Sequence, residues 1–166
     1  MARSLVLTLL VTLLLVPGTA EASPHRAHRS HAARTRANPA VLALAVAERY
    51  WAAVPCAGKV TVLVNRALPA GLDGTTDGWV TFESSLGANN LQAPAASYTQ
   101  CTIALAHWQW PTATAMRQDW NMLCLTVIHE LGHLLGHPHS LVAGSVMAPV
   151  FTNESSVPSI CRSSPG

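Results

Sequence analysis

The chain has 166 residues, of which 49% are apolar and 11% charged, and its formal charge at pH 7 is +2. So many apolar groups exclude disorder over most of the length, and fewer than 200 residues point to one domain. Five of the ten basic residues (Arg3, Arg26, Arg29, Arg34, Arg36) precede Ala37; the remainder holds five basic and seven acidic residues, a formal −2 that argues against nucleic acid as a partner.

Residues 1–22 read as an export signal. Arg3 supplies the positive start, Leu5 to Val16 is a nearly unbroken apolar run, and Pro17-Gly18 breaks it. Ala20-Glu21-Ala22 then offers a small-x-small cleavage site before Ser23. A bilayer span needs about 17 or more apolar residues, so this run predicts secretion and no stable membrane anchor. Residues 23–37 (SPHRAHRSHAARTRA) show no apolar periodicity. They read as a basic, His-rich linker or short pro-segment, with a metal-scavenging role for His25, His28 and His31 as the sharper alternative.

The folded domain is expected over residues 38–166. Asn38-Pro39 looks like an N-cap followed by proline at the first helical position, opening a helix over Ala40 to Ala53 that ends near Pro55. Lys59 to Asn65 alternates, with Val60, Val62 and Val64 on one face, and predicts a strand. The loop GLDGTTDG leads to a second strand, Trp79 to Glu83; its Asp73 and Asp77 read as turn residues, so structural calcium is not supported. A third strand is expected around Tyr98 to His107, with Trp108, Trp110 and Trp120 in the core and His107 at the surface or in packing. From Asp119 to Leu135 the chain is apolar on nearly all sides, the pattern of a central helix. Four cysteines in an exported chain suggest two disulfides. Cys56–Cys101 with Cys124–Cys161 is the favoured one of three pairings, each closing a loop of about 40 residues for roughly 4 kcal/mol.

The chemistry lies in that central helix. His129-Glu130-Leu131-Gly132-His133 puts two imidazoles one turn apart on one helix face, where both reach a single metal ion. Glu130, about 100° round the helix, stands where it can act on a water without being a ligand. Gly136 can end the helix in the left-handed conformation and Pro138 forbids its continuation, so the chain turns and brings His139 back as third ligand. His137 falls past the break and is left as an exposed neighbour. Three imidazoles leave one position open for water, which is the arrangement of a catalytic zinc site with one ion.

Here the sequence resembles the metzincin zinc endopeptidases, whose signature HExxHxxGxxH is followed by a Met-turn. His129, Glu130, His133, Gly136 and His139 each match, and Ser145-Val146-Met147-Ala148-Pro149 supplies the turn at a spacing most similar to the matrixin branch. The resemblance implies an α+β fold, with a small twisted mixed sheet packed on two long helices and the active-site helix followed by the Met-turn. It implies Met147 as a hydrophobic support beneath zinc and Ala148, Pro149 and Val150, on to Phe151, as the wall of the S1′ pocket. It further implies Cys101 to His107 as the edge strand that pairs with an extended peptide. Three features depart from the family pattern. No cysteine-switch segment is apparent, Ala148 stands where matrixins commonly have tyrosine, and a C-terminal helix would be short or missing.

The expected function is that of a secreted, monomeric zinc endopeptidase acting on proteins or peptides, with Glu130 as general base. Two readings compete: an inactive metzincin-like module that binds a partner protein or peptide, and a surface protein that chelates zinc. Retention of Glu130 favours hydrolysis over pure chelation, because chelation does not need a non-ligating base.

Overall fold

The computed structural model describes residues 37–151 and 156–163, so the export signal and His25, His28 and His31 lie outside the described residues. The first helix, α1, runs Pro39–Trp51. Asn38 caps it through its side-chain oxygen, which accepts the Ala40 N–H at 3.0 Å, and Pro39 takes the first position. Ala40, Ala43, Val46 and Ala47 form its buried stripe. The helix stops earlier than its composition suggests, because Ala52 turns left-handed.

Three strands follow: β1 (Val60–Arg66), β2 (Gly78–Glu83) and β3 (Thr99–Ala106). They form one mixed sheet in the order β1-β3-β2, with β3 parallel to β1 and antiparallel to β2. Ile103 pairs with Val62 on one side and Val80 on the other. The third strand is therefore central and not an edge, which corrects the expectation carried by Cys101 to His107. Among the described residues its neighbours β1 and β2 are the two edges. A central strand is buried on both faces, and Ile103 to Ala106 are all buried, as their unbroken apolar run requires.

Beyond β3 the chain makes a short helix, α2 (Ala113–Gln118), that the sequence reading did not contain. Its cap is Thr112, which accepts the Ala115 N–H at 3.1 Å. Helix α3 (Trp120–Leu134) then crosses the interior, and Leu123 to Gly132 are buried without a gap. It packs against α1 and against the sheet. Trp110 and Trp120 are core residues, whereas Trp108 is 49% exposed, contrary to expectation; its indole N–H donates to the Thr76 carbonyl at 3.0 Å. His107 lies at the surface beside the Asn65 side chain.

Both disulfides have the favoured pairing. Cys56–Cys101 ties the turn before β1 to β3, and Cys124–Cys161 ties α3 to the segment after the Met-turn. The result is the α+β architecture expected.

Candidate metal centre

Helical periodicity alone places the first two histidines. His129 and His133 stand one turn apart on α3, with Nε2 atoms 3.0 Å from each other. The third arrives because α3 ends abruptly. Gly136 takes φ +86°, the His137 N–H donates to the Gly132 carbonyl and the Gly136 N–H to the His133 carbonyl, both at 2.9 Å. These two bonds close the helix in a Schellman turn. The chain then doubles back, and His139 Nε2 comes within 3.2 Å of His133 Nε2. The three ligand atoms all lie within 4.8 Å of one another. His137 stays exposed, outside the cluster, with its ring on Trp51.

The outer nitrogens explain the inner ones. His129 Nδ1–H donates to the Val146 carbonyl at 2.8 Å, and His133 Nδ1–H to the His137 carbonyl at 2.9 Å. Each ring therefore presents an unprotonated Nε2 to the centre. Lone pairs facing one another at 3.0 Å repel, and a cation between them removes the repulsion. Tetrahedral bonds of about 2.05 Å to zinc would separate such nitrogens by about 3.3 Å, close to both spacings. Burial also lowers the pKa of His129 to about 4, outweighing the opposing bond to Val146, with the His133 and His139 rings adding to the depression. Burial lowers His133 too, against its bond to His137. Neutral imidazoles are the form a metal needs.

The Met-turn holds this arrangement from below. Met147 is buried with its sulfur against the backbone at Gly132, and its carbonyl accepts the Ser140 N–H at 2.8 Å. Val146 supplies the carbonyl for His129. Of the residues expected to form a pocket wall, Ala148 is half-buried while Pro149 and Val150 face solvent. Phe151 is the one that reaches the cluster, edge-on to the His129 ring at 5.4 Å.

The matrixin family model matches residues 61–160, well over half of the chain. The chain belongs to the matrixin family. No curated protein and no solved structure matches it. The family match covers β1 from its second residue, then β2, β3, α3 and the Met-turn of this matrixin.

Glu130 is buried beside the first residue of β2: a Cβ on Gly78 would stand 3.4 Å from its Cγ. The acid, one residue after His129 on α3, is thus placed against the edge strand β2. Burial pushes its pKa up to about 8, and the neighbouring Asp77 adds to the rise. Asp77 itself is raised to about 6, by burial and then by the charge of Asp119. It is therefore more than the turn residue expected from its loop. Asp73 does behave as one, accepting from the Thr75 N–H at 2.8 Å. Sequence reasoning also passed over Trp51, Gly78 and Gly132. Gly132 left a signal, since glycine inside a helix costs about 1 kcal/mol and marks a close approach.

Proposed function

We propose that this matrixin is a secreted zinc endopeptidase with one catalytic ion held by His129, His133 and His139. The observation that carries the reading is the convergence of three imidazole nitrogens, with Nε2 of His129 and His133 left unprotonated by their Nδ1 bonds, on a helix that also carries a buried acid outside the cluster. Zinc held there supplies a Lewis acid for a water and a peptide carbonyl, and its charge favours the ionised form of Glu130. Glu130 accepts the proton of the attacking water and delivers it to the nitrogen of the leaving amine. The C–N bond breaks as the new C–O bond is kept, giving an acid and an amine. An extended protein or peptide substrate would add to the edge of β2, unpaired among the described residues, whose first residue adjoins Glu130. Ala148, Pro149, Val150 and Phe151 would border an apolar P1′ side chain.

Secretion is supported by the signal-like residues 1–22 and by two disulfides, which persist in oxidising compartments. Among the described residues no helix is long and apolar enough to cross a membrane.

Glu130→Gln separates binding from chemistry. The amide keeps the side chain's shape and removes no histidine, so one zinc per chain should be retained while peptide hydrolysis falls by roughly 10²-fold or more. Elemental analysis and turnover on the best peptide from a cleavage-profiling library, with and without chelator, check both arms. Unchanged turnover would remove Glu130 from the mechanism. Wild type that holds zinc and cleaves nothing would favour a binding module.

A further inference from the structure

His137 is the one histidine of the 129–139 segment that the zinc reading leaves unused, and its surroundings are specific. Its ring lies flat on the Trp51 indole, with centroids 4.5 Å apart and planes 15° from parallel. Its carbonyl accepts the His133 Nδ1–H, and its N–H is bonded to Gly132. Trp51 is keyed to the same stretch of α3 from the other side. Its Nε1–H donates to the Ile128 carbonyl at 2.9 Å, and its Cζ2 would be 2.9 Å from a Cβ on Gly132. Tyr50 stands edge-on against it at 5.2 Å.

We infer that Trp51 and His137 form a clamp that fixes the orientation of His133 and thereby sets the affinity of the metal site. One atom links the clamp to the metal site. A metal-bound imidazole is oriented by whatever its other nitrogen donates to. For His133 that acceptor is the His137 carbonyl, which sits past the end of α3 in a turn that is otherwise exposed. A carbonyl in an exposed turn samples several directions unless its residue is pinned. Stacking pins it, because the side chain of the same residue is held on a ring that is itself hydrogen-bonded one residue before His129. His137 is thus a positioning residue and not a ligand, and its ring acts by shape; a flat apolar ring should replace it.

The inference rests on reading the three histidines as a zinc site, and the experiment tests the two separately. Zinc affinity would be measured by chelator competition on the mature protein, with melting of the metal-free form recorded in parallel. Wild type binding one zinc, and loss of that binding in His129→Ala, establishes the site; failure of either overturns the zinc reading and the clamp with it. Given the site, His137→Ala should weaken zinc about 10-fold, while His137→Phe should stay within roughly threefold of wild type. His139→Ala should cost far more than either. Trp51→Leu should match His137→Ala, and the double variant should be no weaker than one single variant, because both remove one device. Unchanged affinity in His137→Ala overturns the clamp, whatever happens to the melting temperature. Equal losses in His137→Ala and His137→Phe overturn it too, since the imidazole nitrogen would then matter. If Trp51→Leu fails to fold, the two His137 variants decide alone, as that side chain lies at the surface.

Discussion

Asp77 is a half-buried acid on the loop into β2, and its pKa carries a prediction about pH. Burial raises it to about 6 from an ordinary 3.8, with the charge of Asp119 adding to the rise. Between those values the folded protein keeps a proton that the unfolded chain releases, so its contribution is intact below about 3.8 and is lost as pH rises through 6. Asp77→Asn removes that loss. Urea unfolding of the metal-free protein should show the variant gaining on wild type between pH 4 and pH 7, by roughly 1 kcal/mol after solvent screening of a half-buried group. A constant difference across that range would detach Asp77 from the effect. The histidines and Glu130 were legible in the sequence because helix period and the Gly136–Pro138 break are local facts. Asp77 was not, since the loop shows only its turn chemistry, and both its burial and the Asp119 charge come from distant parts of the chain.

Helix α3 owes its position to how closely other elements approach it. Gly132 has no side chain, and the Met147 sulfur and the Trp51 indole occupy the space, at 2.5 Å and 2.9 Å from where a Cβ would be. Alanine is the better helix former by about 1 kcal/mol, yet overpacking of this kind costs about 1–3 kcal/mol. Gly132→Ala should therefore lower stability and zinc affinity together, read from denaturant midpoints and chelator competition; a more stable variant would mean that the Met-turn yields easily. Helices α1 and α3 and the three strands were legible to within a few residues from periodicity and capping, whereas the short α2 was not. The order of the strands was not, because adjacency in a sheet is a non-local choice. One clue was present: Ile103 to Ala106 are uniformly apolar, whereas β1 alternates, and a strand without alternation belongs in the middle.

At the scale of the whole molecule, the signal-like first residues and the oxidised cysteines agree on one compartment. Protein recovered from the medium of an exporting host should begin at Ser23 by N-terminal sequencing. A start at Met1 or Ala2 would sink the argument for secretion. The Cys124–Cys161 bridge then has a meaning in time. It joins the first half of α3 to residues that come after every histidine, the Met-turn and Phe151 in chain order. A ribosome delivers α3 early and Cys161 late, so a nascent chain has the ligands of its own active centre before it has the fastening that holds the surrounding wall against them. The fully fastened form belongs to a chain whose synthesis has passed Cys161 and whose thiols have met an oxidant, and under the proposed export that fastening would close only after the chain leaves the cytosol that made it.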